Sequence, residues 1–167
     1  MDFDPARLRK GEMIVGASAV VLLASMFALK WYGVTGSLAH SVTRLGGPTS
    51  VTGWNGLSQL RWLLLVTGLA GLALVFFQAT RRAPAVPVSF SVIASVLGLL
   101  STLALIYRVL INQPGSNDLV DQKAGAFVGL IAALVLTWGG YVSMREEGTL
   151  ERDGPGEIET VRLGDAT

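Results

Sequence analysis

The only imidazole in this 167-residue chain is His40, and there is no cysteine. A thiolate nucleophile, a disulfide and a thiolate metal site are therefore excluded, and a histidine-rich metal centre cannot be built from one ring. A hydrolytic triad would have to recruit His40, Asp118 or Asp121 and one of many serines, but no spacing in the sequence supports it. Walker, dinucleotide-binding and metalloprotease patterns are absent too. The expected role of His40 is that of a solvated loop residue, and no cofactor or metal is expected. Thirteen Lys and Arg against twelve Asp and Glu leave a net charge of +1. That lacks the basic excess that grips a phosphate backbone, so nucleic acid is not an expected partner.

Three cations suggest a binding role. Arg108 follows Tyr107 near the end of an apolar stretch, where it could hold a lipid phosphate or pair with Asp118 or Asp121. Snorkelling to the interface explains it without a ligand, and anchoring is the expected role. Arg61 and Lys30, with Lys123, sit at equivalent stretch ends and would complete a basic rim for anionic lipid, though ordinary anchoring would supply the same cations. Glu12 is expected as an interfacial carboxylate at a helix N-terminus, where the macrodipole favours it. Small residues carry a second pattern. Gly125, Gly129, Ala133 and Thr137 recur every four positions, and Ala94, Gly98 and Thr102 repeat it more briefly. In lipid, helices associate through close backbone approach, so these stripes are expected to pack helices within the monomer, with dimerisation as the alternative.

The elements that must position these residues are membrane spans. Half the composition is apolar (51%), only 15% is charged and the mean hydropathy is +0.54. Four stretches, 13–29, 62–77, 88–111 and 124–144, approach the roughly 20 residues a helix needs to cross hydrocarbon. Trp31, Tyr32, Trp62, Tyr107, Trp138 and Tyr141 lie near their ends, as an aromatic belt would. The first stretch is longer than the about 7–15 apolar residues of a cleaved signal, so it is expected as a retained helix. No charged residue falls in mid-span, which weighs against a proton-coupled pump. With the N-terminus inside, eight of the thirteen basic residues lie inside, among them Arg7, Arg9, Lys10, Arg81 and Arg82.

The expected fold is thus an all-α transmembrane four-helix bundle in the plasma membrane, with both termini cytoplasmic. Residues 1–144 form the bundle, and 145–167 form an acidic tail expected to be disordered. The proline-bearing link 81–87 makes the second and third helices antiparallel neighbours. The Gly/Ser/Thr-rich first outer loop, 30–61, contains the β-prone pieces Val34-Thr35, Ser41-Val42-Thr43 and Ser50-Val51-Thr52, and would be a small hairpin or irregular.

Several stretches carry a resemblance: 22–32 (LLASMFALKWY), 53–57 (GWNGL), Tyr107-Arg108 and 125–147 (GAFVGLIAALVLTWGGYVSMREE). In them the chain resembles small four-span membrane proteins of actinobacteria, a group without an assigned activity. The resemblance implies four helices and an aromatic-bearing first outer loop. Lys30 and Arg61 depart from that pattern, which commonly has a proline and an acidic residue there. The four-span plan with Trp54-Asn55-Gly56-Leu57 is also similar in outline to the claudins, without their cysteine pair. Two functional classes are open. One is a non-enzymatic scaffold or accessory subunit, partnered by the bilayer and by a membrane protein or its own copies. The other is an oligomeric conduit or binder for a small solute or lipid, with a membrane-embedded enzyme a distant third. The scaffold is the expected class.

Overall fold

Backbone in hydrocarbon must satisfy its own hydrogen bonds, and the helix does so within one segment. The computed structural model describes residues 8–80, 88–112 and 120–146. The 81–87 link, most of the second loop with Asp118, and the tail from 147 lie outside the described residues. In chain order the elements are α1 (Lys10–Ala28), β1 (Lys30–Val34), α2 (Gly36–Arg44), β2 (Ser50–Thr52), α3 (Gly53–Gly56), α4 (Leu60–Thr80), α5 (Val88–Ile106) with a π-helical turn (Tyr107–Ile111), β3 (Val120–Gln122) and α6 (Ala124–Glu146). Four of these helices, α1, α4, α5 with its π turn, and α6, are long and apolar enough to span a membrane.

The four form a ring in which α1 packs on α4 and α6, and α5 packs on the same two. Gly11 of α1 abuts Ser143 near the end of α6, whereas Gly125 at the start of α6 abuts Leu29 and Lys30, so α1 and α6 run antiparallel. Their ends are clasped. The Arg9 guanidinium donates to the Glu146 carbonyl, and the Gly11 N–H donates to the Glu146 carboxylate at 3.2 Å. Glu12 lies in the first turn of α1 and is buried, and its carboxylate accepts from the Arg9 N–H at 3.0 Å, which caps that turn. At the centre, Leu136 of α6 is fully buried and reaches the glycine faces of both α4 (Gly71) and α5 (Gly98).

The end opposite this clasp carries a cap. Its three-stranded sheet has the order β2-β1-β3, with both pairings antiparallel, so strands from both cap-end loops join in one sheet. The first loop thus folds back on itself, β1 on β2, with Val34 and Ser50-Val51-Thr52 in strands, and the second loop adds a third strand. Ser41, Val42 and Thr43 lie in α2, not in a strand. That helix closes with a Schellman motif, in which Gly47 N–H donates to Val42 O, Gly46 N–H donates to Thr43 O, and Gly46 takes φ +71°. Local turn chemistry has overridden β propensity there.

Trp31 and Tyr32 are buried at 0% and 2% exposure, so they do not form part of a lipid-facing belt. Trp62, Tyr107, Trp138 and Tyr141 are exposed. Alternation along a strand would send two consecutive side chains to opposite faces. An irregularity in the β1–β2 register between Lys30 and Tyr32 lets both turn inward. The Trp31 indole lies against Gly53, Gly125 and Gly129, and a Cβ on Gly129 would collide with its six-membered ring. Gly129→Ala is expected to destabilise the protein by about 1–3 kcal/mol through overpacking. Leu134→Ala, on an exposed face, should change little. Thermal unfolding in detergent compares them, and adding Trp31→Phe should restore part of the Gly129→Ala loss.

Candidate functional site

The cap end gathers the described cations Lys30, Arg61, Arg108 and Lys123. Its geometry starts where α1 stops. Leu29 turns extended, β1 begins, and Trp31 Nε1–H donates to the Ser25 carbonyl at 2.8 Å, so the buried indole leaves no donor unsatisfied. Across the sheet, Lys123 N–H donates to Trp31 O at 2.7 Å and leads directly into α6.

The π turn supplies a second set of contacts. The helix ends there on an i→i+5 bond, Asn112 N–H to Tyr107 O at 2.8 Å, and carbonyls at a helix end take donors from outside the helix. Gln122 Nε2 donates to Val109 O at 2.6 Å, and the Tyr32 hydroxyl points at Arg108 O at a long 3.5 Å. Each donor comes from a sheet strand, so the cap is tied to the end of α5 by side chains. Beside Tyr32 a cavity of about 260 Å³ opens between the sheet and the β2–α3 corner, bordered by Val34, Thr49, Val51, Asn55 and Val120.

The three predicted cations part company. The Arg61 guanidinium stands 5.3 Å from the Trp54 ring centroid and 5.5 Å from that of Trp62, while Phe27 stacks on Trp54 at 5.1 Å. Its Nε is buried without a hydrogen-bond partner among the described residues. A cation in the first turn of α4 opposes the helix dipole, and the two indole faces offset part of that cost. Lys30 is exposed at the start of β1. Arg108 borders a separate groove between α4 and α5. His40 and Asp121 are both exposed, on α2 and β3, and no hydrogen bond joins them.

The small-residue stripe on α6 divides between partners. Gly125 and Gly129 receive Trp31 and the chain at the end of α1, whereas Thr137 meets α5, lying against Gly98 and 3.2 Å from the Thr102 hydroxyl. Ala133, between them, is fully buried, as is Ala94 of α5. A row of every fourth residue drifts about 40° per step on a helix of 3.6 residues per turn, so three steps rotate it about 120°. The residues that continue the α1 face are Gly139, against Ile14 and Val15, and Ser143, against Gly11. Gly140 instead admits Ser95 of α5. The sequence pattern missed Gly139 and Gly140. Counting faces at 100° per residue would have found the first, since positions 125, 139 and 143 share one side.

Mid-span hydroxyls are bonded within the bundle. Thr67 meets Ser101 at 2.7 Å and its own Leu63 carbonyl at 2.8 Å, Ser95 donates to Ser91 O at 2.8 Å, and Thr137 donates to Ala133 O at 2.8 Å. No three His, Cys, Asp or Glu residues converge among the described residues.

By length and composition, the four long helices place the chain among helical membrane proteins. Protein-family models, curated proteins and solved structures return no match to it.

Outside the candidate spans, burial pushes the Tyr32 phenol up from 10.0 to about 12, and the Arg108 guanidinium opposes that rise. The folded state thus favours the neutral phenol. Its contribution to stability is whole below the ordinary tyrosine value and is lost as pH rises towards the folded value. A phenolate absorbance step near pH 12 is expected, and Tyr32→Phe should remove it. Persistence of that step would refute the assignment.

Proposed function

We propose that this chain is a non-enzymatic membrane scaffold or accessory subunit of the plasma membrane, with both termini cytoplasmic. It acts through its helices within the lipid bilayer and through the cap. Its partner is another membrane protein or a further copy of itself. The observation that carries this proposal is the cap itself. Two loops are welded by one sheet, a buried Trp-Tyr pair and side-chain bonds to the π turn, which gives a preorganised surface in place of loose connections. On that surface α2 is largely exposed, and Leu45 beyond its end is 87% exposed.

A solute conduit would need a polar path between the helices or an oligomer to make one. The mid-span hydroxyls are instead committed to helix carbonyls and to one another, which favours the scaffold. Kinship with the small four-span proteins of actinobacteria is part of the same proposal and rests on the stretches quoted above. The orientation draws support from the clasp of Arg9 and Gly11 on Glu146, which holds the start of α1 and the end of α6 at one end of the bundle. The basic excess beside that end supplies the direction.

Two measurements test these statements. In this cysteine-free chain, Leu45→Cys should react with an impermeant thiol reagent in intact cells, and Thr149→Cys only after lysis. The reverse pattern overturns the orientation. A photo-crosslinking residue at position 45 should capture one defined membrane protein, or the chain itself, in native membranes. Adducts to lipid alone would overturn the scaffold.

A further inference from the structure

Among the cap-end cations proposed for lipid contact, Arg108 borders an open groove. Lys30 is exposed, and the Arg61 guanidinium lies against the Trp54 and Trp62 rings. The groove, about 440 Å³, lies where the end of α5 faces the start of α4. Its composition changes along its length. Ser58, Gln59 and the Tyr107-Arg108 pair line it at the cap end, and Leu63 and Ala104 line it further towards the middle of the helices. A change from cation and hydroxyl to hydrocarbon over about one helical turn, at the depth where a bilayer changes likewise, matches a lipid rather than a soluble solute.

The polar end is preorganised. Arg108 Nη1 donates to Asn112 O at 3.1 Å, which fixes the side chain back along the π turn. Asn112 Nδ2 in turn donates to the Tyr107 hydroxyl at 3.1 Å. A phenol oxygen that accepts this bond has its own O–H left to donate elsewhere. Among the described residues Arg108 meets no carboxylate, and Nη1 to Asn112 O is the hydrogen bond its guanidinium makes with them. A guanidinium held this way suits a phosphate bidentately, whereas a simple anchor needs only charge.

We propose that this groove binds an anionic glycerophospholipid, with its phosphate on Arg108 and Tyr107 and an acyl chain along Leu63 and Ala104. The site is independent of whether the chain acts as a scaffold and of which way it is oriented.

Native mass spectrometry of the full chain, equilibrated with mixed phosphatidylglycerol and phosphatidylcholine, tests it. The wild type should retain one phosphatidylglycerol in preference to phosphatidylcholine by about tenfold, the equivalent of one charge-assisted hydrogen bond. Arg108→Lys should lose most of that preference although it keeps the charge. Arg108→Gln should abolish it. Gln59→Glu places a like charge at the exposed mouth of the groove and should abolish it too, which keeps the test valid if the arginine variants fold poorly. Leu63→Trp should expel the lipid by filling the apolar part. Equal retention of the two lipids, or wild-type preference in the lysine or Gln59→Glu variants, overturns the proposal. Displacement of the lipid by inorganic phosphate alone would identify a free-anion site and overturn it as well.

Discussion

The Trp31 indole, seated on glycines of α3 and α6, is the side chain through which the cap and the bundle share the most elements. The indole meets Gly53, Gly125 and Gly129, and its N–H is satisfied by the carbonyl of Ser25 at the end of α1. Four elements therefore share one side chain. Burying an indole stabilises by roughly 1.5–3 kcal/mol when it leaves water, but only if the N–H keeps a partner, because a buried orphan donor costs about as much. The close approach of the ring requires bare Cα positions opposite it. This is why glycines at 125 and 129 matter more than any generic need for small residues in a span.

The second constraint is polar. A π turn ends α5, and the cap donates to two of its carbonyls, from Gln122 to Val109 O and from Tyr32 to Arg108 O. Buried backbone acceptors are almost always paired, so the turn and the sheet depend on each other. The same turn gives Arg108 its neighbours Tyr107 and Asn112 and aligns it beside the start of α4. Structural necessity and a candidate binding groove thus share residues.

Within the spans, composition is sorted against the habit of water-soluble bundles. Large apolar side chains such as Val20, Leu69, Leu103 and Ile131 face outward, while glycine, alanine and hydroxyls line the helix contacts. With lipid outside, apolar burial drives little, and closeness of backbones with paired hydroxyls does more. The Thr67–Ser101 and Thr102–Thr137 contacts each link two helices, and Leu136 fills the space left where Gly71 and Gly98 recede.

The sequence by itself determined the four helices, because length and hydropathy within one segment decide whether a helix can cross hydrocarbon. It also placed the helix ends to within a few residues, and it drew attention to Gly129, Gly98 and Arg108 as positions of interest. It could not show which neighbour each small residue meets. A four-residue row drifts around the helix, so Gly129 receives Trp31 while Thr137 meets α5, and Gly139 and Gly140 join faces that the row never reaches. Nor could it show that Trp31 and Tyr32 are buried, since aromatics at a span end look alike whether they face lipid or a cap. That choice depends on β3, which comes from a loop nearly ninety positions later and pairs with β1 at Tyr32↔Gln122. Local patterns report what one segment can do alone. Strand partners, glycine seats and the surroundings of Arg61 and Arg108 are decided by residues far apart in the chain, and only the tertiary structure brings them together.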